Sequence, residues 1–383
     1  MESLPPLSLY IHYPWCLRKC PYCDFNSHTL KQESSQQRYL QALIDDLSAD
    51  LPAVWGRPIE SIFFGGGTPS LIEPELLADF ISQLRALLNL KADTEITLEA
   101  NPGTAEQQRF HAFRDAGINR LSIGIQSFED HKLTALGRIH SGQEAVEAVE
   151  MARQAGFNSI NLDLMFGLPG QSLDEAANDL TQAISLKPDH ISYYQLTIEP
   201  NTVFAHAPPV CPDDDALWQM QQQGIEKLAN SGFIRYEVSA YAQEGEQCRH
   251  NLNYWHFGDY LGIGAGAHGK ISSPQPFRVE RLWKQRHPDE YIGSSQGAQR
   301  VSGRRSLSRE DMILEFMMNT LRLNDGFDES LFELHTGLSL DEISRPLASA
   351  IEKGMIRRDG GRIIPTDRGI DYLNDLLQLF AGD

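Results

Sequence analysis

Three cysteines fall within one short segment, Cys16-Leu-Arg-Lys-Cys20-Pro-Tyr-Cys23, a C-x3-C-x2-C spacing that directly follows an apolar run. Thiolates bind soft metals, and three on one loop can occupy three corners of a metal centre. A structural zinc site would need a fourth ligand, which Asp24, His12 or His28 could supply. A Cys20–Cys23 redox pair would leave Cys16 without a role. A [4Fe–4S] cluster would use all three and leave one iron open to an exchangeable ligand, and the position of the motif favours it. Cys211 and Cys248 lie far from the cluster and from each other. Cysteines placed so unevenly are no disulfide framework and suggest a reduced, cytoplasmic compartment.

Such a loop has to be held by something rigid. The runs 8–13, 61–67, 95–100, 120–126, 159–167 and 190–196 are short, apolar and β-rich. Amphipathic segments separate them: Gln37–Leu47, Pro74–Leu88, Ala105–Ala116, Gly142–Ala155 and Leu173–Leu186. Thr104, Ser172 and Pro74 read as helix starts, and Gly117 and Gly156 as stops. Six βα repeats predict a parallel α/β sheet, and six are too few to close an eight-strand barrel. The expected core is therefore a partial (βα)6 barrel over 1–200, completed by later chain. Residues 201–308 read as a mixed α/β completion, with a helix at Asp215–Asn230, a strand at Arg235–Ala242 and a Pro/Ser/Gly/Arg-rich connector over 271–309. Residues 309–383 read as a mainly helical, winged-helix-like domain.

The chain has 383 residues, and 52 acidic against 33 basic side chains give a net charge of −19. That balance disfavours nucleic acid and anionic lipid as partners. Residues 311–383 carry 14 acidic and 7 basic side chains, which separates them from the DNA-binding modules they resemble in outline. The N-terminus lacks the features of a signal peptide, and no apolar run is long enough to span a membrane.

The cysteine motif, with Tyr22 before its last member, resembles that of the radical S-adenosylmethionine (SAM) superfamily. YIHYPWCLRKCPYCDFNSH, FFGGGTPS, EANPG, NRLSIGIQSF, LGRIHS and NLDLMFGLPGQ look like the oxygen-independent coproporphyrinogen III oxidase family, a likeness that covers essentially the whole chain. It implies a [4Fe–4S] cluster on Cys16, Cys20 and Cys23, whose open iron chelates the amino and carboxylate groups of SAM. An electron from the cluster then cleaves the sulfonium bond to give a 5′-deoxyadenosyl radical. By the same resemblance Tyr10 is a cluster-side SAM contact, Gly66 contacts one SAM, and Gly67, Thr68, Gln126, Arg138 and Asp163 match contacts to a second; Tyr22 and Glu99 are further SAM candidates, Glu99 as an acceptor from a ribose or ammonium group. Most of these sit where strands end, the face on which barrel sites are built. Read without the resemblance, Tyr10 is a core aromatic, Glu99 a strand-end carboxylate, Arg138 a surface arginine and the triple glycine a tight turn.

Two features depart from the oxidase pattern. Phe25 stands where that pattern has a fourth cysteine, and the chain begins only nine residues before Tyr10. Both favour the heme-chaperone branch of the family over propionate decarboxylation, although the scaffold remains capable in principle of SAM cleavage. The segment Cys248-Arg-His250-Asn251-Leu-Asn-Tyr254-Trp255-His256 matches the H-N-x-x-Y-W pattern of that branch. His250 is the candidate heme ligand, with Asn251, Tyr254 and Trp255 around it and Cys248 and His256 as lesser candidates. A hydrogen-bonded loop histidine is the plain alternative. The implied cofactors are the cluster, SAM and heme. The implied partners are an acceptor hemoprotein and, where SAM is cleaved, an electron donor.

Gly264-Ala-Gly266-Ala-His268-Gly269 satisfies G-x-G-x-x-G, but no helix follows, so it is expected to form a wall near SAM or a porphyrin rather than a dinucleotide site. Arg278, Arg281, Lys284, Arg286, Arg304, Arg305 and Arg309 make the connector basic, and a propionate or an acidic partner could dock there, with a solvated loop as the default reading.

Overall fold

Leu7, Leu9, Ile11 and Tyr13 are fully buried at alternate positions of the first strand, while Ser8, Tyr10 and His12 take the opposite face. The same alternation recurs in the following strands: Leu121, Ile123 and Ile125 face the helices, and Arg120 and Ser122 the other side. Strands with one apolar and one polar face curl around a polar interior while the helices cover the outside. The computed structural model describes residues 4–30, 35–103, 107–294 and 297–381.

The parallel series comprises β1 (Leu7–Tyr13), β2 (Pro58–Gly66), β3 (Asn89–Ala100), β4 (Arg120–Gln126), β5 (Ser159–Phe166) and β6 (His190–Gln195). Beyond it lie β7 (Ile234–Glu237), β8 (Ala240–Ala242), β9 (Asp259–Ile263), β10 (His268–Pro274), β11 (Phe277–Lys284) and β12 (Val301–Ser306). Among the described residues these twelve form one sheet in the order β12-β11-β10-β9-β1-β2-β3-β4-β5-β6-β8-β7. Neighbours from β9 through β1 to β6 run parallel; the outer pairs are antiparallel. The sheet is thus a partial (βα)6 barrel widened by later chain at both edges.

Local signals placed the helices well. Ser172 caps Leu173–Ser185 in a reciprocal box with Glu175, and Ser141 does the same for Gly142–Gln154 with Glu144. Gly117 ends Phe110–Ala116 at φ 111°. The helix start read at Thr104 and Ala105 lies outside the described residues.

Two expectations need correction. Residues 235–242 are a tight hairpin, β7 and β8, rather than one strand. The stretch read as a connector holds most of β10, with β11 and β12 and the short helix Pro288–Gly293. Its Pro and Ser residues sit in turns, and Arg304 and Arg305 ride the exposed edge strand, where charge blocks further pairing. That composition masked the strand period. Lys284 is no solvated cation either: its Nζ lies 2.7 Å from both Asp46 and Asp50, and its side chain is fully buried. Arg281 and Arg305 both pair with Glu315, and Arg309 with Glu342.

The C-terminal domain has its own core around Phe316, Phe327, Phe332, Ile343 and Ile363, with Phe257 and Val279 contributed from the sheet side. Its helices Arg309–Thr320, Glu329–Thr336 and Ser344–Glu352 accompany a three-stranded wing. Arg322 fastens it to the barrel, 3.0 Å from the buried Glu237 and over the Trp255 ring at 4.4 Å.

Candidate functional site

The cysteine loop leaves β1 and is clamped at its base by a two-residue parallel pairing, Trp15–Cys16 with His28–Thr29. Asn26 ties its far side to the glycine-rich stretch by donating to the carbonyls of Ala265 and Arg286, each at 2.8 Å. Cys16, Cys20 and Cys23 are all free thiols. Cys16 is buried and Cys20 and Cys23 are half-buried. Burial pushes the Cys16 thiol up, the Thr68 hydroxyl opposes that, and the Cys23 thiolate pushes the same way. Burial also raises Cys23, whose Sγ lies 3.7 Å from the Ser27 hydroxyl. Among the described residues, no three His, Cys, Asp or Glu side chains gather tightly enough for a single metal ion. A four-iron cluster takes its thiolates at separate corners, so the donor set of three unpaired thiols on one anchored loop fits a cluster better than zinc.

Beside the loop, β2 ends in the glycines. Gly66 adopts φ 116°, and a Cβ there would come within 2.6 Å of the His12 ring. A Cβ on Gly67 would meet the Trp15 carbonyl oxygen at 2.5 Å. The Gly66 N–H donates to Glu99 at 3.2 Å. Thr68 is buried, donates its N–H to Trp15 O at 2.7 Å and accepts from Asn101 at 3.0 Å. Burial first, then the nearby Asp163 carboxylate, lift Glu99 to about 8. Asp163 is raised by burial too, against hydrogen bonds from Asn161 at 2.8 Å and Ser122 at 3.0 Å. Tyr10 donates to, or accepts from, His12 Nδ1 at 3.0 Å, and burial holds its phenol protonated.

Arg138 is not a surface arginine. It bridges the loop and the barrel, 3.8 Å from Cys20 Sγ and 2.7 Å from both Asn101 Oδ1 and Gly124 O. It also lines a cavity of about 230 Å³ that reaches Leu17, Cys20 and Ile139. Gln126, at φ 71°, accepts from the Tyr194 hydroxyl at 2.8 Å. Tyr22 lies beside Cys20 and Arg138 and packs on Phe204 at 6.3 Å. Gln126 at the end of β4 and Arg138 after the following short helix thus gather beside the cysteine loop that carries Tyr22.

The aromatic run forms a short helix, Arg249–Trp255, plugged into the barrel. His250 is buried; its Nδ1 lies 2.8 Å from Ser61 Oγ, and its Nε2 is enclosed with no hydrogen-bond partner. Phe63 and Tyr254 pack on its ring, each with centroids at 5.0 Å. Burial, then Arg120, depress it to about 3, so the ring is neutral. Cys248 is buried beside Glu95, Sγ to Oε1 3.6 Å, and burial pushes its thiol up to about 12. Asn251 is half-buried, Trp255 faces Arg322, and the His256 carbonyl accepts from His335 at 2.8 Å. The segment therefore splits: Tyr254 reaches the open site, whereas His250, Cys248 and Trp255 do not.

What Tyr254 reaches is a cavity of about 790 Å³. Tyr10, Gly66 and Glu99 line it from the barrel side; Tyr260, His268 and Trp283 line it from the added strands and Arg286 from just beyond β11. Phe25 stands at its lip, 59% exposed. Burial, then Arg281 and Arg286, lower His268. Of these, Tyr260, Trp283 and the roles of His268 and Asn101 escaped the sequence reading. The EANPG motif held the signal for Asn101, and the G-x-G-x-x-G stretch held it for His268. Trp283 was hidden in the supposed connector.

Residues 10–183 match the Radical SAM superfamily, and residues 307–372 the HemN C-terminal domain. The chain is 51% identical to the Heme chaperone HemW of Escherichia coli (strain K12) over 100% of both chains. It is 48% identical to that of Haemophilus influenzae over 99% of each, and 33% identical to that of Bacillus subtilis over 98% of this chain and 99% of the other. The solved structure of Escherichia coli coproporphyrinogen III oxidase (HemN), a radical SAM enzyme, superposes with a TM-score of 0.83 at 25% identity, covering 99% of this chain and 90% of that one.

Proposed function

Because the chain belongs to the HemW family of heme chaperones, built on the radical SAM scaffold, we propose that it carries heme and passes it to an acceptor hemoprotein. Its cofactors are one [4Fe–4S] cluster and SAM. The observation that carries this reading is the single cavity in which Tyr10, Gly66 and Glu99 share space with an aromatic and cationic wall of Tyr254, Tyr260, Trp283 and Arg286. Small-molecule sites span about 300–1,000 Å³, and apolar walls with a few fixed polar groups suit a macrocycle that carries carboxylates.

When bound, the cluster and SAM supply one-electron chemistry at the sulfonium. The chain's own residues prepare that position. Cys16, Cys20 and Cys23 are the cluster ligands. Gly66 and Gly67 let the backbone approach where a side chain would collide with His12 or Trp15. Glu99 offers an acceptor near the end of β3 and Asp163 one from within β5, and Asn101 orients Thr68 and Arg138 together. Tyr22 and Gln126 complete the set, Gln126 being held by Tyr194. An electron donor joins only where SAM is cleaved. We place the protein in the cytoplasm, in keeping with its free thiols; among the described residues no helix is long and apolar enough to cross a membrane.

Coproporphyrinogen oxidation is the competing reading, favoured by the likeness to HemN. Phe25 argues against it, being exposed on the cavity lip where the oxidase pattern has a fourth cysteine. Anaerobic reconstitution, then hemin titration, coproporphyrinogen assay and transfer to an apo-hemoprotein in one preparation, decides between them. Stoichiometric heme binding and transfer without porphyrinogen turnover is expected. Turnover to protoporphyrinogen without stable heme binding overturns the chaperone reading.

A further inference from the structure

Gly264 and Gly266 take positive φ values, 109° and 77°, in the turn that leads into β10. Asn26 packs under Gly266, so close that a Cβ would lie 2.5 Å from its amide nitrogen. The turn is thus locked to the cysteine loop, and His268 emerges from it as the first residue of β10. Its partner across the ladder is Trp283, and the two rings stack at 6.4 Å with an interplanar angle of 28°. The His268 side chain makes no hydrogen bond among the described residues, is exposed, and opens on the large cavity.

The contrast with His250 is geometric. An axial ligand must present a ring nitrogen to space the macrocycle can enter. His250 Nε2 is enclosed by protein, and Tyr10, Phe63 and Tyr254 all pack around its ring. To reach iron, at least one of those aromatics would have to leave a packed position. His268 needs no such rearrangement.

We propose that His268 is the axial ligand for the carried heme, with Trp283, Tyr254 and Tyr260 walling the macrocycle and Arg286 facing a propionate. This rests on the reading that the cargo is heme. His250 becomes a positioning residue: held by Ser61 at 2.8 Å, it backs Tyr254 from behind the wall. The glycine-rich turn places the ligand at a fixed distance from the cysteine loop, through Asn26.

Hemin titration of the full chain, followed by absorbance, tests the assignment with His268→Ala and His250→Ala. The His268 variant should lose the histidine-type Soret band and raise Kd about tenfold or more. Added imidazole should restore the band, a rescue that a merely structural role would not show. The His250 variant should keep the wild-type Soret position. A His268→Ala protein with unchanged band and Kd, or one that imidazole fails to rescue, overturns the ligand assignment while leaving the heme-chaperone reading standing. Wild-type protein that binds no hemin overturns that reading itself.

Discussion

The Arg138 guanidinium lies 3.8 Å from the Sγ of Cys20 while the same side chain holds Asn101 Oδ1 at 2.7 Å. One cation therefore touches Cys20, a proposed cluster ligand, and, through Asn101, the Thr68 hydroxyl at the glycine end of β2. The cysteine loop and the strand ends are thereby coupled into one electrostatic unit.

Removing that cation should make the cluster harder to reduce, because positive charge near an iron–sulfur centre favours its more negative state. Arg138→Gln in the cluster-loaded protein is expected to lower the reduction potential by about 60 mV, roughly 1.4 kcal/mol for one electron. Spectroscopic redox titration measures this. An unchanged potential would remove Arg138 from the cluster's surroundings.

Glu99 imposes a pH dependence. Its folded value of about 8 lies above the ordinary 4.5, so between the two the folded chain binds a proton that the unfolded chain has released. Stability then falls as pH rises through that window. Glu99→Gln, being neutral throughout, should be more stable than wild type by about 4 kcal/mol near pH 8 and nearly equal to it near pH 4. Thermal melts without SAM at the two pH values provide the measurement, and a pH-independent difference would contradict the argument. The same variant should bind SAM more weakly.

Gly67→Ala places a Cβ 2.5 Å from the Trp15 carbonyl oxygen, which already accepts from Thr68 N at 2.7 Å and has little freedom to retreat. Overpacking against backbone costs about 1–3 kcal/mol. Because Trp15 precedes Cys16, the loss should appear as incomplete cluster assembly as well as a lower Tm. Full iron and sulfide content in this variant would show that the close approach is not needed.

Lys284→Met strands Asp46 and Asp50, of which Asp46 is fully buried. Removing one partner of a buried pair costs about 3–5 kcal/mol. Denaturant unfolding should report that loss, while hemin affinity well below the melting temperature should stay near wild type. A selective fall in hemin affinity without loss of stability would return Lys284 to the ligand-docking role its sequence neighbourhood suggested.

Short-range chemistry was legible from the sequence. The strand series, the helices between them and several of their caps read correctly as an α/β core, since period-two alternation and caps depend on residues a few positions apart. Tertiary structure alone decided which candidates meet. His250 and Tyr254 are neighbours in one motif, yet one packs inside the barrel and the other opens on the cavity. Arg138 was readable as a SAM contact or as a surface arginine, and only the fold brought Cys20, 118 positions away, against it. Lys284 looked solvated until Asp46, 238 positions away, enclosed it. Composition reports a residue's chemical capacity, whereas burial and partnership are set by strands that pair across long loops. The cysteine spacing and the glycine-rich part of the cavity wall could thus be picked out from the sequence, but the aromatic wall of Tyr260 and Trp283 could not.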